Sequence, residues 1–435
     1  MPFLLSQKSR IISNLKMRKN HFYYGWVVLA ACLVINIVSV GMRLSFGVFF
    51  KPLEVEFGLT RATTSGIFSA YLIICGLVGI IGGWALDRYS PKKVFILTGL
   101  LSGLGLLLTS QATALWHIFL SYSLLLALGT GSTFVIVMTL VSKWFTQGRR
   151  GLALGIVSCG AGIGMTIMPP IANYFISAYD WQTSYLVLAL IAFFILIPCA
   201  LLLKRSPGEV ATSVSLEKLA ATTPVSDKEK HDDEPKQPSL AQAIKTRNFW
   251  LLFFMMFLWA VCSYIVLAHI VRHAIDLQIS AGQAATVLTI IGGTSIPGRL
   301  LMGRLSDVKG SKYASIIYAL ILIASMLWLI WASNLWMLYV FAVPFGLCFG
   351  ASAPLVALLI GDAFGTRYLG TILGVLETGW ASGSAFGPVL AGYIYDTNYN
   401  YALAFIIGII AILITLLLIA LLKMPNSRRE VSAVQ

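Results

Sequence analysis

Twelve apolar stretches, each about as long as a bilayer's hydrocarbon core is thick, divide this sequence. They fall near residues 24–50, 62–84, 94–110, 114–142, 151–177, 182–203, 247–273, 281–304, 313–333, 335–361, 368–395 and 400–423. A helix needs about 20 mostly apolar residues to cross a membrane. In lipid, only helices and closed barrels pair every backbone N–H and C=O. The pattern predicts an all-α membrane protein with twelve transmembrane helices. Composition excludes a soluble alternative, because 58% of the 435 residues are hydrophobic and only 11% are charged, giving a mean hydropathy of +0.85.

The opening stretch, MPFLLSQKSRIISNLKMRKN, is basic and lacks both an apolar core and a cleavage site. It reads as a cytosolic tail. A net charge of +14 would suit a polyanionic partner, but its distribution reports topology instead. All of the 31 Lys and Arg except Arg43, Lys51, Arg61, Arg272 and Arg299 fall in the N-terminal tail, the even-numbered turns or the C-terminal tail. Cytoplasmic segments carry such an excess. Both termini are therefore expected in the cytoplasm, at the inner membrane if the cell is bacterial, with the lipid bilayer as partner and no nucleic acid. The six cysteines (Cys32, Cys75, Cys159, Cys199, Cys262 and Cys348) lie within spans and show no metal-ligand spacing. They read as small packing residues, and no metal or cofactor is expected.

Between Lys204 and Thr246 the composition changes, and SDKEKHDDEPKQPS could not bury a core. Mixed charge with Pro and Ser predicts a mostly disordered cytosolic linker. It divides the spans six and six, giving an N-terminal six-helix bundle over 1–203, a linker over 204–246 and a C-terminal bundle over 247–435. The halves also resemble each other. GGWALDRYSPKK after the second span matches MGRLSDVKGSK after the eighth, with Gly83 against Gly303 and Asp87 against Asp307. GIVSCGAGIGMTIMPPIANY matches GVLETGWASGSAFGPVLAGY, so that Gly155, Gly160, Gly164, Pro169 and Tyr174 fall on Gly374, Gly379, Gly383, Pro388 and Tyr393. Two separate stretches share nearly one offset, which points to an internal duplication. The glycines recur at helical spacing and let neighbouring backbones approach closely.

The 6+6 plan, with Gly83, Asp87, Arg88, Lys92 and Lys93 after the second span, resembles the major facilitator superfamily over nearly the whole chain outside the tails and linker. Ser90 stands where that motif commonly has glycine, and Val308 replaces arginine in the second copy. The resemblance implies that Gly83, Asp87, Arg88, Lys92, Gly303 and Asp307 form a conformational latch. A carboxylate at a cytosolic helix end, beside basic residues, can make ion pairs in one state and break them in the other. KWFTQGRRGLALGI, PGRLLMG, YGWVV and FFKPLE are further similar to the monocarboxylate and oxalate:formate transporter group.

Ionisable side chains inside a bilayer cost several kcal/mol unless they face water or a partner, so they are functional candidates. Here the cations are Arg43 and Arg299, and the clearly intramembrane carboxylate is Glu377. Arg299 follows Pro297 and Gly298, which are expected to weaken the helix and free backbone groups, as transporters do near a bound ion. Its planar fork can hold a carboxylate through two parallel hydrogen bonds. The resembled transporters carry their substrate-carboxylate arginine at this position. The competing reading is an inner-leaflet arginine snorkelling to the headgroups. Oxalate transporters of the group have a second cation where Trp380 stands here, which argues against a small dicarboxylate, although Arg43 could compensate. Ser295, Tyr264 and Trp380 are the remaining candidates for lining the cavity.

Low dielectric disfavours the charged form of a carboxyl group, which lets it load and release a proton. Glu377 is the natural proton site, with an ion pair to Arg43 or Arg299, or a hydrogen-bonded neutral acid, as structural alternatives. His269 and Asp276 are the other candidates for proton coupling, and a lone histidine on a helix face is more often a hydrogen-bonded filler. No nucleotide-binding loop and no catalytic constellation is found, so the chain is not expected to be an enzyme and a gradient must drive it. These features together predict a secondary active transporter of a small organic anion, most simply a monocarboxylate by proton symport, through alternating access. A proton-coupled exporter of amphipathic compounds and an organic anion exchanger are the alternatives.

Overall fold

The computed structural model describes residues 24–59, 61–145, 148–205 and 238–424. The expected N-terminal tail and most of the expected linker lie outside these residues. Long helices dominate what is described: α1 (Gly25–Phe50), α2 (Arg61–Arg88), α3 (Pro91–Ser110), α4 (Leu115–Trp144), α5 (Arg150–Ala178), α6 (Trp181–Leu201), α7 (Arg247–Asp276), α8 (Ala281–Lys309), α9 (Ser311–Trp331), α10 (Leu335–Phe364), α11 (Leu369–Asn398) and α12 (Ala402–Leu421). Ten of the helices are long and apolar enough to cross a membrane by composition alone. The two that fall short, α8 and α11, are rich in Gly, Ser and Thr and carry Arg299 and Glu377. A helix polar on one stripe is stable in a bilayer only where that stripe faces protein or water.

Several helices run further than the apolar stretches predict: α2 reaches Arg88, α8 reaches Lys309 and α11 reaches Asn398. Hydropathy marks the hydrocarbon layer, whereas the helix continues into the headgroup region. The linker also starts and ends in order. Trp144 Nε1 donates to Lys204 O at 2.8 Å, and a short helix, Leu240–Ile244, begins with a capping box between Ser239 and Gln242. Pro297 does not break α8, which is continuous from Ala281 to Lys309. Gly298 serves packing instead: a Cβ there would meet the Leu347 carbonyl of α10.

Helices α3, α6, α9 and α12 pack mainly within their own half, while α2, α4, α5, α8, α10 and α11 also meet the other half. Helix α5 lies against α8, and α2 against α11. Each crossing is tightest where two glycines face each other. A Cβ on Gly83 would run into the Gly370 carbonyl, and one on Gly303 into the Gly151 carbonyl. The repeat that aligns Gly83 with Gly303 aligns Gly155 with Gly374, at an offset one residue shorter, and so carries Gly151 onto Gly370 and exchanges the two contacts. That exchange is what a pseudo-two-fold axis between the halves produces. Both crossings lie at the end of the molecule where Arg88, Arg150, Lys309 and Lys312 cluster, here termed the basic end. Toward the opposite end of α8, Gly292 and Gly293 face open space.

Replacing Gly303 with Leu is therefore expected to prop the basic end apart, while Gly292→Leu leaves it closed. Reaction of a membrane-impermeant maleimide with the buried Cys159, added from the basic side, reports the difference. Equal labelling in the two variants would contradict the glycine contact.

Candidate functional site

At the basic end, carboxylates close the crossings. Asp87, at the end of α2, accepts hydrogen bonds from Thr371 N at 2.9 Å and Thr371 Oγ1 at 2.8 Å, both on the first turn of α11. Its other oxygen takes Lys143 Nζ at 2.9 Å. Asp307, near the end of α8, accepts from Gly151 N at 2.7 Å and Leu152 N at 2.9 Å, the first turn of α5. Each aspartate thus caps a helix of the opposite half, supplying the acceptor that the free N–H groups need and the negative charge that the helix dipole favours. Arg88 takes no part, since its guanidinium lies over the Trp84 ring at 5.6 Å. Neither Arg88 nor Lys92 is in an ion pair among the described residues. Adjacent residues on a helix point in divergent directions, so the partner of Asp87 comes from α4 instead.

A third connection was not anticipated from sequence. Arg150, only 6% exposed, crosses from α5 to α10, where Nη1 lies 3.4 Å from Asp362 Oδ1 and Nη2 donates to Ala357 O at 3.3 Å. Asp362 also accepts from Ser311 Oγ of α9. Gly361 leaves room for the guanidinium, which a Cβ would strike.

Farther from the basic end, Arg299 is 8% exposed and separated from Lys309 by roughly 15 Å of helix. Its Nη1 donates to Ser295 Oγ at 2.7 Å, and Ser295 Oγ donates to Gly292 O at 2.6 Å. The side chain therefore reaches toward the end of α8 opposite to the basic one, away from the headgroups that a snorkelling arginine would seek. Its Nε is buried without a partner, and among the described residues the guanidinium has no ion pair. Across the interface stand Gly162 and Cys159 of α5: a Cβ on Gly162 would lie 3.4 Å from Nη1, and Cys159 Sγ approaches Ile296 O at 3.7 Å.

A second cluster joins α1, α2, α7 and α11. Arg43 is within electrostatic reach of Tyr71, Cys75, Tyr264 and Glu377. No ion pair within 4.0 Å links Arg43 to Glu377 among the described residues. Tyr264 and Trp380 meet edge to face with centroids 6.2 Å apart. Tyr71 and Thr130 share a hydrogen bond of 2.6 Å behind Arg43. The sequence-nominated residues thus separate into Arg43, Tyr264, Glu377 and Trp380 on one side and Arg299 with Ser295 on the other.

His269 and Asp276 join neither group. His269 Nε2 lies 3.0 Å from Pro388 O, and a carbonyl only accepts, so Nε2 carries the proton. Nδ1 shares a hydrogen bond of 3.2 Å with the Tyr401 hydroxyl. The imidazole ties α7 to α11 and to the start of α12. Asp276 is exposed on the last turn of α7. Among the described residues, no cluster of His, Cys, Asp and Glu could hold a metal ion.

A family model for the Major Facilitator Superfamily matches residues 29–313 and 272–434. The chain belongs to the major facilitator superfamily. It is a multi-pass membrane transporter and not an enzyme. Among curated relatives, it is 26% identical to Monocarboxylate transporter 12 of Rattus norvegicus over 424 residues, covering 94% of this chain and 87% of that one. Monocarboxylate transporter 13 of Rattus norvegicus is 26% identical over 387 residues, with 88% and 86% covered. Solved structures with the same fold include the transporter FucP in the outward conformation, with TM-score 0.66 at 17% identity over 92% of this chain and 99% of that one. The human organic anion transporter MFSD10 aligns with TM-score 0.68 at 16% identity over 92% and 100%.

In this transporter the residues that sequence reasoning missed were visible only as turn charges. Applying the repeat offset to the ends of α4 and α10 places Lys143 on Asp362, and the signal for their role was that a basic residue in one half aligns with an acidic one in the other. Charge-assisted hydrogen bonds contribute about 1.5–3 kcal/mol each. Asp87→Asn and Asp307→Asn are each expected to speed maleimide labelling of Cys159 from the basic side by about tenfold. Arg88→Ala should leave the rate nearly unchanged, and a large effect of Arg88→Ala with none of Asp307→Asn would reverse the assignment.

Proposed function

We propose that this transporter carries a small monocarboxylate across the membrane by proton symport, with residues 1–203 rocking against 247–435 about the linker 204–246. The observation that carries the reading is Arg299: a buried guanidinium between the halves, with an unused donor and, among the described residues, no carboxylate partner, calls for an anion. Monocarboxylate is the substrate class in the names of the curated relatives, and the planar fork suits it. Arg299 anchors the carboxylate and Ser295 orients the anchor. Arg43, Tyr264 and Trp380 line the remainder of the cavity. By the positive-inside rule the basic end faces the cytoplasm, with both termini there and, in a bacterial cell, the inner membrane around it. The Asp87 and Asp307 caps, with Gly83 and Gly303 at the crossings, then close the cytoplasmic gate, and Arg88 and Lys92 flank it.

Glu377 carries the proton in this mechanism. Once protonated it no longer offsets Arg43, the cavity becomes one charge more positive, and anion entry is favoured. His269, with both nitrogens engaged, and Asp276, apart from the central cluster, are less well placed for the task. The electrostatic proximity of Arg43 to Glu377 also supports a second reading. If Arg43 keeps Glu377 ionised throughout the cycle, the protein exchanges organic anions without a proton.

Uptake of labelled carboxylates into proteoliposomes, with and without a pH gradient, tests the proposal. Arg299→Lys keeps the charge but loses the fork, so substrate affinity should fall at least about tenfold, and Arg299→Ala should abolish binding. Wild-type affinity in Arg299→Lys would defeat the anchor. Glu377→Gln should abolish accumulation driven by a pH gradient while anion exchange continues. Accumulation that survives in Glu377→Gln would remove Glu377 as the proton carrier.

A further inference from the structure

A cavity of about 250 Å³ lies at the end of the C-terminal half opposite to the basic one. It is bounded by the last turns of α7 and α9 and by the turn that joins α11 to α12. Arg299, Glu377 and the α5–α8 crossing contribute nothing to its lining, so it is separate from the proposed transport path.

Three helices, α7, α9 and α11, end with their C-termini toward it. Each helix C-terminus behaves as roughly half a negative charge, and together they outweigh the half positive charge of the α12 N-terminus, which also lines the space. The carboxylate of Asp276 lines the same space. Arg272, exposed and one turn earlier on α7, is not paired with it within 4.0 Å among the described residues. Neither the end of α9 nor the α11–α12 turn supplies a Lys or Arg. The local field therefore favours a cation.

The walls say which kind. Leu329, Ile330 and Phe405 are apolar, and Tyr399 and Tyr401 present rings, so the six or more oxygens that a hard metal ion takes are not provided. Aromatic faces around a carboxylate suit an organic ammonium ion. Tyr399, at the C-terminus of α11, has φ +55°, a left-handed conformation that a tyrosine rarely adopts. The His273 ring stands edge-on to Phe405 at 5.1 Å and to Tyr401 at 6.0 Å.

We propose that this cavity binds a primary alkylammonium group, with Asp276 as counter-ion and the rings of Tyr399, Tyr401 and Phe405 as walls. The group comes either from a free amine or from the ethanolamine headgroup of a lipid in the surrounding leaflet.

The test uses the full chain in nanodiscs of phosphatidylglycerol, with propylammonium chloride as probe and equal sodium chloride as reference. Propylammonium should raise the Tm of the wild type saturably, and Asp276→Asn should lose the response while Arg272→Gln retains it. Because either variant could alter folding, Tyr399→Leu is a second check and should weaken the response without removing it. No shift in the wild type, or an equal shift in Asp276→Asn, overturns the proposal. Nanodiscs containing phosphatidylethanolamine separate the sources. A higher starting Tm with no further gain from propylammonium supports the lipid headgroup, and an undiminished gain supports the free amine.

Discussion

Two of the three polar connections between the halves at the basic end are carboxylates, each set on the N-terminus of a helix in the other half. Asp307 takes two main-chain N–H groups of α5, and Asp87 takes the main-chain and side-chain donors of Thr371 on α11. These bonds form only if the helices cross within backbone contact, which the Gly83–Gly370 and Gly151–Gly303 contacts permit. Glycine and carboxylate therefore act as one device. The first allows approach, and the second rewards it with a hydrogen bond that ends when the helices part.

The same helix pair connects this device to the proposed anion site. Along the α5–α8 crossing, Gly151 faces Gly303, Gly155 faces the Arg299 carbonyl and Gly162 faces the Arg299 guanidinium. A change of charge at Arg299 is thus delivered to the helix whose first turn Asp307 holds. In the proposed mechanism, a bound carboxylate would remove the cost of an unpaired guanidinium at the surface between the halves. Coupling between occupancy and gate needs no longer path than a few turns of one helix pair.

Topology was legible early, because lipid leaves little choice. Apolar length gives the number of spans, basic residues give a common side, and the repeat offset gives the correspondence of Gly83 with Gly303. The offset even carries one glycine contact onto the other. Arg299 also stood out from sequence, since a permanent cation with apolar and hydroxylated residues before it has few explanations. Expectations from residue type went further astray. Pro297 and Gly298 mark a locally weakened helix, and α8 nonetheless runs continuously through them, with Gly298 making room for Leu347. Arg88 beside Asp87 suggested an ion pair, yet Arg88 lies over Trp84 and Lys143 takes the carboxylate.

By itself, the sequence determined which segments enter the membrane and which residues carry charge there, because transfer into lipid depends on the side chains of one segment at a time. Only the tertiary structure decided which charges meet. Asp87 finds Lys143 and Thr371, Arg150 finds Asp362 through a gap left by Gly361, and His269 is tied to Pro388 and Tyr401. Asp87 to Thr371 and Arg150 to Asp362 span more than two hundred positions of sequence. Whether two side chains meet across such a distance depends on helix rotation and crossing, and those are set by packing of the whole bundle rather than by any local pattern.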